Sequence, residues 1–166
     1  MDAASAIAER SRQMRREFDR GFAKPAFAGS AAMVDLLAIR LGANGFALRL
    51  SEIAGLFVDR KITPVPGANP ALIGIAGFRG AIIPVYDLQS LIGETAAPAS
   101  RWLFVAAAAA IGFSFEAFVG QMRMPADAIK PQQADARAGF TRDLVPIDGV
   151  MRPIVDLSSV IGAIKN

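Results

Sequence analysis

Three carboxylates stand where acid chemistry could be built: Asp87 and Asp156, each ending an apolar run, and Glu116, set among phenylalanines. Glycosidase-type chemistry needs two such groups flanking one substrate, and a divalent cation needs several acids alternating along one loop. Neither pattern is present. Asp87 and Asp156 each precede a short Leu-led segment, where a carboxylate accepts from exposed backbone N–H groups as a helix cap. The chain has no Cys and no His. That removes disulfides, thiolate nucleophiles and thiolate metal sites, along with the commonest general base and metal ligand. Lys24, Lys61, Lys130, Lys165 and the single Tyr86 are the other reactive groups. The expectation is therefore a protein that works by binding: not an enzyme, with no metal and no cofactor.

The segment Gly74-Ile-Ala-Gly77-Phe-Arg79-Gly80 is the most unusual in the chain. A phosphate loop would need other glycine spacing, a Lys-Ser/Thr ending and a helix immediately afterwards. An apolar strand follows instead, so the segment reads as a sharp strand-to-strand turn with Gly80 at positive φ. Arg79 then has two readings. It is either a solvated turn arginine or a donor fork beside apolar surface, the kind of anchor that dominates protein interfaces.

The elements that must position these residues are short strands. Leu37, Ile39 and Leu41 alternate before Asn44-Gly45, and Phe46, Leu48 and Leu50 alternate after it, predicting a hairpin turned at Asn44-Gly45. Ser51 to Val58 continues as a strand or short turn. Its Ile53, Leu56, Phe57 and Val58 are more than one strand face needs, which fits either a second core layer or groove surface that contacts a protein. Ile62 to Pro70, with three prolines, is extended and irregular. Ile73–Phe78 and Ala81–Asp87 are strands joined near Arg79-Gly80, and Leu88–Ile92 is one helical turn stopped by Gly93. After a connector at 94–100, Trp102–Val105 and Ile111–Phe118 read as strands around the alanine run 106–110, with Trp102, Phe104, Phe113, Phe115 and Phe118 in the core. Pro125–Pro131 is a turn with a short helical start, Gln132–Arg142 a loop, Val150–Val155 the last strand and Leu157–Ile161 a short helix.

Residues 2–20 read as an amphipathic helix with Ile7, Ser11, Met14 and Phe18 on one face, followed by a linker, so that 1–34 stand apart from 35–166. The net charge is +3, and residues 1–24 hold six cations against four acids, or +2 of it. Basic residues interleaved with aromatics are absent beyond that point, so nucleic acid is not an expected partner. The alternative function rests on this helix: a peripheral membrane or nucleic-acid-associated protein using its arginines. Hydrophobic residues at 53% and charged ones at 20% exclude a disordered chain. The longest nearly apolar stretch, Trp102–Phe113, falls short of the about 20 residues a membrane span needs. Neither a transmembrane segment nor a signal peptide is expected.

Pro84-Val-Tyr-Asp87-Leu88-Gln-Ser90-Leu-Ile92-Gly93 recurs 69 residues later as Pro153-Ile-Val-Asp156-Leu157-Ser-Ser159-Val-Ile161-Gly162. Each copy reads as a buried strand, a capping Asp and a helical turn closed by Gly. The repeat predicts two similar β-subdomains of roughly five strands, barrels that bury their own edges.

Thr63-Pro64-Val65-Pro66, Gly74-Ile75, Phe78-Arg79-Gly80, Ile83-Pro84-Val85 and Asp87-Leu88, in that order after a hairpin, resemble the CheW-like domain of bacterial chemotaxis. Gly112-Phe113, Glu116 and Ile129-Lys130-Pro131 extend the likeness, which covers about residues 35–164. Gly55 stands where the family often has an acid, Gly77 stands for its Asn, and Phe140 to Ile147 lack its last strand start, as if that connection were shortened. The resemblance implies a mainly β fold of two five-stranded SH3-like barrels. It also implies a cytoplasmic adaptor that couples chemoreceptor tips to the regulatory domain of a CheA-type histidine kinase. Receptors of the family pack in an apolar groove between the barrels. Carried over, that partner-binding groove includes Ile53, Ile75 and Arg79, with Phe78 and Gly80 of the same turn.

Overall fold

A computed structural model describes residues 31–95, 100–133 and 139–166. The chain divides into a unit of Met1–Ala31 and a unit of Ala32–Asn166, and every element below belongs to the second. The helix expected over residues 2–20 lies outside the described residues.

Among the described residues, runs rich in Val, Ile, Leu and Phe form eleven strands and two short helices: β1 (Met33–Leu41), β2 (Asn44–Arg49), β3 (Ile53–Val58), β4 (Leu72–Phe78), β5 (Ala81–Asp87), α1 (Leu88–Ile92), β6 (Trp102–Ala106), β7 (Gly112–Phe115), β8 (Ala117–Pro125), β9 (Lys130–Pro131), β10 (Thr141–Ile147), β11 (Val150–Val155) and α2 (Leu157–Lys165). They make a five-stranded sheet, β3-β6-β7-β5-β4, and a six-stranded one, β8-β1-β2-β11-β10-β9. In each sheet the two edge strands are brought round to each other without pairing. Phe57 on edge strand β3 packs edge-on against Phe78 at the end of the other edge, β4, with ring centres 5.9 Å apart. In the six-stranded sheet the chain leaves edge strand β8, makes the 3-10 turn Ala126–Ala128 and re-enters at the opposite edge as β9. The result is the pair of barrel subdomains expected from the repeat, SH3-like as the resemblance implied, with one strand more in one of them.

Each copy of the repeat sits in its own subdomain. β5 runs parallel to β7, the second strand of the β6–β7 hairpin, while β11 runs parallel to β2, the second strand of β1–β2. Asp87 accepts from Gln89 N at 3.3 Å, and Asp156 from Ser158 N and Ser159 N at 3.1 and 3.3 Å, as capping residues do. Gly93 ends α1 at φ 78°. Gly162 departs from expectation: it lies inside α2, which runs on to Lys165 because Val160, Ile161 and Ile164 pack on the core.

Three other expectations are corrected. The first hairpin turns at Gly42-Ala43, since Leu41 pairs with Asn44, and Gly42 has φ 60° at the first central position. Asn44-Gly45 opens β2 instead, and Gly45 is bare because the Arg152 guanidinium covers it. The single strand read over Ile111–Phe118 is two, broken at Glu116, where the chain crosses from one sheet to the other. Glu116 is fixed there by Arg40, which donates at 3.1 and 2.8 Å. Finally, Phe140 to Ile147 holds β10, a full partner of β11 across Asp148-Gly149, both at positive φ (51° and 76°). Pro146 disguised it. β9 pairs only with Asp143 and Leu144, so Pro146 lies on open edge where a missing N–H is tolerated.

Burial explains the dense apolar runs. Leu36 and Ala38 of β1 point into the core of the six-stranded barrel with Ala47, Val145 and Ile154. Ala76, Val85 and Leu103 centre the other barrel. The largest cluster joins the two sheets: Leu37, Ile39 and Leu48 meet Phe104, Phe113 and Phe115, with Leu88 and Leu157 of the helices.

Candidate interaction surface

The β4–β5 turn projects Arg79. Gly80 has φ 81°, as expected, but Arg79 also has positive φ, 48°. Two such residues in succession make the hairpin turn whose twist suits its strands, and the left-handed region costs a non-glycine residue about 1–2 kcal/mol. The Arg79 guanidinium lies over the Phe78 ring, its central carbon 4.9 Å from the ring centre. Its Nη2 donates to the Ala54 carbonyl at 3.3 Å. The turn at the end of one edge strand is thereby tied to the start of the other. Gly55 is needed beneath it, because a Cβ there would stand 2.9 Å from Phe57 and 3.1 Å from Phe78. The family's acid at this position would displace the rings.

Ile53, next to Ala54, is half-buried, pairs with Ala106 and packs against the shared core, as does Leu56. A bulge between Ile53 and Gly55 changes the facing, so that Phe57 enters the barrel core and Val58 is exposed. Ile53, Phe78, Arg79 and Gly80 therefore gather around the β3–β4 seam. Ile75 does not join them. It lies on the outer face of β4–β5, opposite Pro84 and bridged to Thr63, lining a shallow cavity of about 360 Å³ with Arg60, Lys61 and Ile82.

Sequence reasoning missed Glu52. The 3-10 turn Leu50–Glu52 carries the chain from one sheet to the other, and the Glu52 carbonyl accepts from Ala107 N at 2.8 Å. Its carboxyl Oε2 is buried with no hydrogen-bond partner among the described residues. Burial pushes the Glu52 carboxyl above the usual range; Arg49 opposes this and Asp156 adds to it. Glu52 borders two cavities. One, about 280 Å³, is polar, with Arg49, Arg142, Asp143 and Asp156. The other, about 310 Å³, is apolar, with Ala106, Ala107, Ala108, Leu157 and Ile161. The alanine run thus forms the β6–β7 hairpin loop and, through its small side chains, leaves room beside α2. An acid closing the apolar hairpin run, Leu50-Ser51-Glu52-Ile53, was the available signal.

The three carboxylates weighed for catalysis are spoken for separately: Asp87 and Asp156 cap helices, and Glu116 pairs with Arg40. Asp156 also pairs with Arg142. Among the described residues no helix is long and apolar enough to cross a membrane. What the surface around the β3–β4 seam offers is apolar relief beside the Arg79 fork and the buried Glu52 carboxyl, the chemistry of protein contact.

The family model of the CheW-like domain matches residues 35–165. The chemotaxis protein CheW of Rhizobium meliloti (strain 1021) is 26% identical over 133 residues, covering 76% of this chain and 86% of that protein. Protein PilI of Pseudomonas aeruginosa is 20% identical over 123 residues, 72% of this chain and 63% of that protein. The crystal structure of the scaffolding protein TtCheW from Thermoanaerobacter tengcongensis is similar in fold, with a TM-score of 0.69 at 20% identity over 75% of this chain and 90% of that one. Nothing in these likenesses supports the membrane or nucleic-acid alternative, and the helix it relied on is outside the described residues.

Proposed function

The chain belongs to the family of CheW-like domains, and we propose from that premise that it is a chemotaxis coupling adaptor, holding chemoreceptor cytoplasmic tips to the regulatory domain of a CheA-type histidine kinase. The observation that carries this reading is the family match across residues 35–165, which takes in both barrels and both copies of the repeat. The mechanism is bivalent bridging in the cytoplasm. Binding both partners raises the effective concentration of kinase at the receptor without any new contact between them. Such work needs neither catalysis nor a cofactor.

On the receptor side, Ile53, Phe78, Arg79 and Gly80 are the proposed contact, with Ile75 on the adjoining face of the same hairpin. A guanidinium stacked on Phe78 keeps N–H groups aimed outward beside apolar surface, which favours a directional bond to a partner carbonyl or carboxylate. Arg79→Ala is expected to weaken binding to a chemoreceptor cytoplasmic-tip fragment from the same organism by about tenfold or more, as hot-spot arginines do. Ile53→Ala should weaken it less. Isothermal titration, with thermal melts to confirm folding, reads both. Unchanged affinity in a folded Arg79→Ala protein removes this turn from the receptor contact.

A further inference from the structure

Two arginines meet where β3 and β4 close the five-stranded barrel, each reaching to the other's strand. Arg79, after β4, donates to the Ala54 carbonyl of β3 at 3.3 Å. Arg60, after β3, donates through Nη2 to the Gly77 carbonyl of β4 at 2.5 Å. Each also covers a ring: Arg79 lies 4.9 Å from the centre of Phe78, and Arg60 lies 5.1 Å from that of Phe57. Between them the two rings meet edge to face at 79°. The order in space is Arg79, Phe78, Phe57, Arg60, a reciprocal clasp across the seam.

The two ends of this clasp differ. Arg60 leaves from a braced position. Asp59 before it is held at φ 52°, its N–H donates to Arg101 O at 2.8 Å, and its carboxylate takes Arg101 in a two-point pair at 2.7 and 2.5 Å. Arg79 is looser: one long bond, one ring, and among the described residues no carboxylate paired with it. Four of its five N–H groups are left for something else. Both contacts made by Arg60 end on what carries Arg79, since Gly77 lies two residues before it and Phe57 props the ring under it.

We infer that Arg60 is a positioning residue for Arg79: through the Gly77 carbonyl and the Phe57–Phe78 pair, it holds the Arg79 guanidinium in the orientation that engages the receptor. This deepens the proposed function and rests on its reading of Arg79. A long side chain held in place before docking escapes the ordering cost of association, about twofold to tenfold in affinity for one such side chain.

The test is a double-mutant cycle on the full chain, with the chemoreceptor cytoplasmic-tip fragment as probe. Arg60→Met is expected to weaken binding about twofold to tenfold when Arg79 is present, and to have no further effect in the Arg79→Ala background. Independently of any partner, the Arg79 Nε–H NMR signal, displaced by the Phe78 ring, should move toward its free position in Arg60→Met. Equal losses in both backgrounds would mean that Arg60 meets the receptor itself, and would overturn the inference. So would full affinity, or an unmoved Arg79 signal, in Arg60→Met. These outcomes leave the proposed function standing, whereas full affinity in Arg79→Ala would remove the reading of Arg79 and this inference together.

Discussion

Phe104→Ala is expected to lower the unfolding free energy by about 3–5 kcal/mol, the range for deleting a fully buried aromatic ring. Phe104 is 0% exposed, stacks on Phe113 with ring centres 5.3 Å apart and touches Phe115 at 5.9 Å. The cluster it leaves belongs to both subdomains, joining Leu37, Ile39 and Leu48 of one sheet to Phe113 and Phe115 of the other. Denaturant unfolding should therefore remain one cooperative transition at a lower midpoint, with both barrels lost together. Since domains are stable by only about 5–15 kcal/mol, a measurable unfolded fraction at 37 °C is expected as well. A loss under about 1 kcal/mol, or two separate transitions, would show that the barrels do not share this core.

Gly74→Ala should be the second large loss, about 2–3 kcal/mol, from two severed hydrogen bonds plus displacement. A Cβ on Gly74 would overlap the carbonyl of Thr63 and stand 2.9 Å from Ile62 Cγ2. The obstacle is backbone, which cannot swing away as a flexible side chain would. Thr63 is held there by Thr63 N to Ile75 O and Ile75 N to Thr63 O, both 2.8 Å. Those bonds cover the outer edge of β4, and inserting a methyl pushes the strap off it. Gly77→Ala, three residues on, meets open space and is expected to stay within about 0.5 kcal/mol of the parent. Equilibrium denaturation compares the two. Faster exchange of the Ile75 amide in Gly74→Ala would locate the damage, and equal stability of the two variants would contradict the strap.

The sequence disclosed whatever local chemistry dictates. The capping of Asp87 and Asp156 follows from residue type, and the Arg79-Gly80 turn from glycine between two apolar runs. The alanine hairpin was legible because flanking Leu, Phe, Val and Ile outweigh helix propensity. What stayed hidden is which sheet a strand joins. At Glu116 the chain changes sheets through a bend of a single residue, too short to break the apolar pattern that runs through it. The alternation of Leu37, Ile39 and Leu41 was legible, and all three face the shared core; that Leu36 and Ala38 on the other side face a barrel core was not. β10 was concealed by Pro146, although Asp148-Gly149 marked its turn. In the candidate surface, Arg79 stood out by type and place. Its seat on Phe78 and Ala54 could not be read, because β3 and β4 become neighbours only when the barrel closes. Ile75 was grouped with it through the family resemblance, whereas the pleat turns it to the outer face.

Coupling itself is tested most directly by reconstitution. A receptor cytoplasmic-tip fragment and a CheA-type regulatory domain from the same organism are mixed with and without the full chain, and complexes are sized by chromatography with light scattering. A coupling adaptor brings both into one complex only when present, and with Arg79→Ala it retains the kinase domain while the receptor fragment elutes alone. Failure to bind either partner, or a receptor–kinase complex of equal yield without the chain, would contradict the role assigned to this protein.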